Sequence, residues 1–349
     1  MQGKNAGNAD ALPSILTKQW LKKADKKRVC LLALLLKARW QSMQSKTGGK
    51  ALASVGLTVI VTELVFSVIY RIVLEILSVF NIDMGFLGTD TGILFFTLVT
   101  YLVMMVPAAV LLIKLSSAWH GSDALSALIP SEKTGAGRFV CAVLTCCFFG
   151  YVGNYVSAAL NYVAEVNGMP VPQGPTFPSG NMFTLGLTVL IVAVLPALLE
   201  ELIIRGAVYG FCSQTGPVCC GLISGIVFAL FHCNFAQFPS AFMFGFMAGY
   251  LVCVYKNIWI SIAAHFINNL VSCLLTYDGG EVYFAVSSLL FILFFALTVV
   301  GFILMLVKYN LFREGTKNSF KGFVKVFSVP IMWIFIAVSL VLSVVTLNI

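Results

Sequence analysis

The stretch LPALLEELIIRGAVYG, residues 195–210, decides how this chain is to be read. It is apolar enough to sit inside a core or a bilayer, yet it carries Glu200, Glu201 and Arg205. A charged side chain at the centre of a bilayer costs about 2.5 to 3.5 kcal/mol on insertion scales, so each such residue needs a reason. Whether the surroundings are lipid is answered by composition. Of 349 residues, 59% are apolar and 10% are charged, and the mean hydropathy is +0.96. A soluble chain carries about 25% charged residues; 14 acids and 22 bases cannot cover the surface of a soluble chain this long. A soluble enzyme, a disordered chain and a secreted disulfide scaffold are excluded. The expected fold is all-α, a polytopic transmembrane helical bundle.

Working outward, nine apolar runs are long enough to count as spans, near 51–78, 92–113, 139–164, 183–213, 217–235, 239–255, 258–276, 283–307 and 326–347. The charges test this count. With the N-terminus inside, the inner segments hold Lys114, Lys133, Arg138, Lys256, Lys308, Arg313, Lys317, Lys321 and Lys325. The outer segments, near 79–91, 165–182, 236–238, 277–282 and 348–349, hold no Lys or Arg. That alternation predicts nine spans with the N-terminus in the cytoplasm and the C-terminus outside. Residues 1–50 read as a basic cytoplasmic arm. Between Ile15 and Trp40, apolar Leu16, Trp20, Leu21 and Leu32 interleave with Lys18, Lys22, Lys23 and Arg28, the pattern of an interfacial helix on anionic lipids. Residues 51–349 read as one membrane domain, and the segment 166–180, rich in proline and glycine, as an irregular outer loop.

The net charge of +8 does not imply nucleic acid, because half the bases lie in the first 50 residues and no aromatic-basic platform accompanies them. The ten cysteines lie mostly inside apolar runs, with no CxxC pair and no zinc-ligand spacing, and read as small packing residues. No secretory signal is recognisable at the N-terminus, since the short run Val29 to Leu36 leads into Lys37 and Arg39.

The other intramembrane polar residues gather close to the opening stretch. His232 stands in FALFHCNF (228–235), and His265, Asn268 and Asn269 in AAHFINNL (263–270). Helical spacing puts Glu201 and Arg205 on one face, where they can pair, and turns Glu200 about 100° away. Phe228 and His232 share a face, as do His265 and Asn269. Glu200 lies 14 residues before Gln214 and His232 15 after Pro217, so a hairpin turning there raises both about 21–23 Å above the turn. A carboxylate and an imidazole at one depth, with a His-Asn pair nearby, supply a general base and oxyanion donors, the parts of water-mediated amide hydrolysis. A proton-coupled transporter uses the same residue types, and composition leaves both open.

In order, EELIIR (Glu200 to Arg205), FALFH (Phe228 to His232) and HFINN (His265 to Asn269) match EExxxR, FxxxH and HxxxN motifs. On successive helices they resemble the CPBP family, the CAAX-protease and bacteriocin-processing (Abi) intramembrane proteases, over about residues 183–276. The resemblance implies a glutamate-dependent endopeptidase with no metal and no cofactor, acting on a membrane-associated peptide or protein, of CAAX type or like a bacteriocin or pheromone. By position, Glu200 and His232 activate water, His265 and Asn269 stabilise the oxyanion, and Glu201, Arg205 and Phe228 support the site. Asn268 does not match the motif and is left out. There is no HExxH, which argues against zinc. A non-enzymatic immunity or scaffold protein of the same fold is the rival reading. The basic arm suits a bacterial plasma membrane.

Overall fold

The computed structural model describes residues 46–62, 64–65, 89–171, 181–312 and 320–345, with single positions at 35, 39, 42 and 43. Most of the basic arm, with the interfacial helix expected there, and most of the outer loop lie outside the described residues. Within them the chain is helical, the one bridge being the isolated pair Ser131 and Asn257.

The elements are α1 (46–62), α2 (Asp90–His120), α3 (Ala124–Leu128), α4 (Ala136–Val166), α5 (Met182–Thr215), α6 (Pro217–Phe231), α7 (Phe238–Tyr255), α8 (Trp259–Thr276), α9 (Gly280–Val307), α10 (Phe320–Phe327) and α11 (Pro330–Val345). Among the described residues, α2, α4, α5, α7, α8 and α9 are each long and apolar enough to cross a membrane. Apolar side chains such as Val286, Leu290, Leu293 and Leu297 along α9 are about half exposed, an apolar belt far wider than a water-facing monomer shows. The chain is an integral membrane protein.

Among the described residues six long helices stand against the nine apolar runs, and for two of the three remaining runs the break has a local cause. The run 51–78 is described as helix only in its first part. The run 217–235 forms a helix of 15 residues, α6, that stops at Phe231. There His232 turns its ring back onto the carbonyl of Phe228, and Cys233 takes a left-handed backbone conformation (φ 45°). The run 326–347 is broken at Ser328 and Val329, where Pro330 starts α11 at 68° to α10.

α6 spans only about 22 Å but is enclosed, and α7 is its principal neighbour. GLISG (Gly221, Gly225) on α6 faces GFMAG (Gly245, Gly249) on α7. A Cβ added at Gly245 would lie 3.0 Å from the Cα of Gly225, and one at Gly225 2.9 Å from the carbonyl of Phe242. Two small-xxx-small stripes thus allow backbone contact, the way helices associate when lipid gives them no hydrophobic incentive. At one end of the bundle, Ile258 N–H donates to Pro130 (2.8 Å), Asn257 Nδ2 to the carbonyl of Glu132 (3.0 Å), and Lys256 pairs with Glu132 (3.0 Å). Near the other end, Ser240 N–H donates to Ser157 Oγ (3.2 Å) and Asn161 Nδ2 to Ala236 (3.4 Å). Segments assigned to one side by their charges therefore meet on one side.

Candidate active site

α5 is not a regular helix. It passes through two π-helical segments, Val189–Val194 and Leu202–Gly206, with Leu195–Glu201 between them in α form. Such insertions shift the register of side chains and recur at functional sites. The two neighbouring glutamates leave the short α segment in different directions. Glu201 is fully buried, and Glu200 is 9% exposed in the wall of a cavity of about 460 Å³.

Behind the cavity lies the charged support. Arg205 and Glu201 are both completely buried and pair at 3.0 Å. The Arg205 guanidinium stacks over Phe228 at 4.0 Å and also faces Phe244 at 5.4 Å. The pairing expected from spacing is present, and Phe228 is the shelf on which the cation rests. One contact was not expected: Glu201 also accepts from His265 Nδ1 at 2.7 Å, which ties α8 to α5 at the level of the ion pair.

The cavity is polar in an apolar bundle. Glu200, His232, His265 and Asn269, from α5, the end of α6, and α8, all line it. His232 Nδ1 donates to the Phe228 carbonyl at 2.9 Å, because that carbonyl only accepts, and this leaves Nε2 as the nitrogen not engaged by the helix. His265 likewise spends Nδ1 on Glu201, which leaves its Nε2. Asn269 Nδ2 donates to the carbonyl of Val192 at 2.8 Å. Val192 lies in the first π-helical segment, so this bond ties α8 to the irregular part of α5.

Two residues in the wall were missed. Tyr101, on α2, donates its hydroxyl to Glu200 Oε1 at 3.2 Å. Asn268 lines the same cavity beside Asn269 and donates to Asn269 Oδ1 at 3.3 Å. Tyr101 belongs to none of the three motifs and lies 99 residues from its partner, so nothing local marks it. Asn268 was visible as a second polar residue in an apolar run. Among the described residues, no group of three or more His, Cys, Asp or Glu side chains is placed to hold a metal ion.

With this geometry in hand, the comparison with known families is specific. Residues 182–271 match the family model described as type II CAAX prenyl endopeptidase Rce1-like. Over these residues the chain is similar to that family. The matched segment begins at the first residue of α5 and ends within α8, so it holds Glu200, Glu201, Arg205, Phe228, His232, His265 and Asn269 but not Tyr101. The three-motif resemblance to the CAAX-protease family is thereby borne out for this part of the chain, and the family is one of membrane proteases. No curated protein and no solved structure matches the chain.

Proposed function

We propose that this protein is an intramembrane, glutamate-dependent, metal-independent endopeptidase that hydrolyses a peptide bond in a membrane-associated peptide or protein. The observation that carries the proposal is the convergence of Glu200, His232, His265 and Asn269 on one polar cavity within an otherwise apolar bundle.

In the proposed reaction, water sits between the Glu200 carboxylate and His232 Nε2. Glu200 removes a proton as the oxygen attacks the carbonyl carbon of the scissile bond. The tetrahedral oxyanion takes hydrogen bonds from Asn269 Nδ2, through the hydrogen not given to Val192, and from His265 Nε2. For that donation the His265 ring is protonated on both nitrogens, with Nδ1–H held by Glu201. The C–N bond then breaks, and the proton on Glu200 passes to the leaving amine. Preorganised donors of this kind act strongly because little water competes inside the bundle.

For substrate, the Rce1-like match supports a CAAX-type protein over a bacteriocin or pheromone. Orientation rests on the Lys/Arg alternation: N-terminus on the cytoplasmic side of a bacterial plasma membrane, with the basic arm on anionic lipids. The test compares membrane-associated and secreted peptides by mass spectrometry in cells carrying the wild type or Glu200→Ala. A cleaved product present only with the wild type is expected. An identical peptide profile with undiminished cellular function in Glu200→Ala would replace the peptidase with the scaffold reading.

A further inference from the structure

The cavity that holds Glu200 lies toward one end of the bundle, and its wall shows which. Gln237 belongs to the connection between α6 and α7, Ser240 to the first turn of α7, and Ser272 to the last turns of α8. Thr97 lies two turns into α2, and Asn154 in the second half of α4. Asn154 and Ser272 are exposed, and Thr97, Gln237 and Ser240 only half-buried, so the cavity opens at this end. The opposite direction is closed. There α4, α5, α7 and α8 continue past the cavity through Cys146, Ile203, Ala207, Met247, Ile260 and Ala264, none of which has any exposure. The buried Arg205–Glu201 pair completes that layer. Beyond it α3 rests directly on α5. A Cβ added at Gly206 would lie 2.9 Å from the carbonyl oxygen of Leu128, and one at Gly210 3.2 Å from that of Ala127.

The two ends differ in charge as well. The closed end gathers Lys133, Arg138, Lys256 and Lys308; Arg138 lies over the Tyr309 ring at 5.3 Å and Lys308 at 5.5 Å. The open end carries Asp90, Glu165, Asp278 and Glu281, all exposed, and among the described residues no Lys or Arg. Bases are retained on the cytoplasmic side when a chain inserts, so the open end is the outer one. We infer that the catalytic cavity is entered from the outer face of the membrane, and that its substrate is a peptide segment already carried across. Asn154 and Ser272 also line an adjoining, mainly apolar space of about 300 Å³, whose wall includes Tyr155, Leu275 and Phe291. The segment taken therefore has an apolar flank, held at the depth of the outer leaflet beside the polar cavity. The inference rests on the peptidase reading for the nature of the ligand and on the charge alternation for the side. It narrows that reading: a CAAX-type end, made in the cytoplasm, qualifies only after export.

Two measurements on the full chain in cells test it. Asn269→Cys, inside the cavity, is placed in a background without the native cysteines, and intact cells are treated with an impermeant thiol reagent. Reagent from outside is expected to modify it and to abolish later labelling by a permeant maleimide. In inverted vesicles, which present the cytoplasmic face, the same impermeant reagent should leave it unmodified. Modification only in inverted vesicles would overturn the inference, and so would modification from neither side. If Asn269→Cys is lost from the membrane, the conservative Ser240→Cys in the same wall is read in the same way. The second measurement locates the cut. Peptides that differ between wild-type and Glu200→Ala cells are mapped onto their precursors, and the bonds cut should lie in outer segments or at the outer end of a span. Cuts in cytoplasmic segments would overturn the inference and leave the peptidase reading intact. Modification from outside without any Glu200-dependent cut would keep the outward entrance and remove the peptidase reading.

Discussion

Tyr101 reaches Glu200 from a helix outside the Rce1-like segment, and its hydroxyl holds one carboxylate oxygen while the other is left for water. It is a positioning residue in the proposed mechanism. Tyr101→Phe should lower kcat about tenfold, the scale of one hydrogen bond to a charged group, with KM nearly unchanged and the melting temperature within a degree or two. A change in KM alone would assign Tyr101 to substrate contact instead. Glu200 and His232 should behave as one unit. Glu200→Ala, His232→Ala and the double variant are expected to fall to about the same residual activity, since members of one catalytic group are strongly non-additive. His265→Ala and Asn269→Ala should cost roughly 10²–10³-fold. Measured kcat/KM for the four single variants and the double one checks this, and activity that survives prolonged chelation is expected alongside it. Arg205 makes a different prediction. Its removal takes the cation from a fully buried ion pair and leaves His265 as the one remaining side chain at ion-pair distance from Glu201 among the described residues, a loss of about 3 kcal/mol. Arg205→Ala should therefore reduce abundance and melting temperature as well as activity. Glu201→Gln with Arg205→Met should restore abundance better than activity, because His265 still lacks its carboxylate.

At the level of elements, the site depends on how tightly α6 is held against α7. His232 follows the last residue of the short helix α6, and its place relative to Glu200 is set by the contact of Gly221 and Gly225 with Gly245 and Gly249. A side chain at Gly245 would meet Gly225, Phe228 and the backbone of Ser224 at once. Gly245→Val should cost about 1–3 kcal/mol by overpacking and force the two helices apart. Activity is expected to fall further than the fraction of folded protein, because displacement moves His232 and the Phe228 shelf together. Thermal melting and activity per folded molecule, measured on the same preparation, check the difference. Equal losses would mean that the helix pair contributes stability only.

For the whole molecule, the charge alternation predicts which connections face the cytoplasm. Single cysteines at Asn167 and Asp278, introduced into a background without the native cysteines, should react with an impermeant thiol reagent in intact cells. Cysteines at Ser126 and Lys133 should stay unlabelled until the membrane is opened. The structure gives this experiment a firm reference, since Pro130 and Glu132 are joined to Lys256, Asn257 and Ile258 by hydrogen bonds and must lie on one side together. Labelling at Lys133 but not at Asp278 would invert the orientation.

The sequence by itself determined the medium, the helical class and several of the polar residues that line the candidate cavity. Those are properties of residue type and spacing: too few charges for water, apolar runs of bilayer length, and polar residues whose insertion cost makes them conspicuous against their neighbours. Glu201 and Arg205 were legible as a pair because four residues make one helical turn. Tertiary structure alone decided the rest. A hydropathy run has no means of showing that α6 stops at Phe231, since the end is made by a ring folding onto a carbonyl and a left-handed Cys233. Nor does regular helical spacing foresee two π-segments in α5, which are set by packing and by the partners that satisfy freed backbone groups. Tyr101 on Glu200, Glu201 on His265 and Asn269 on Val192 join residues 64 to 99 positions apart. Such contacts exist only once separate helices have packed, so no local pattern in the chain records them.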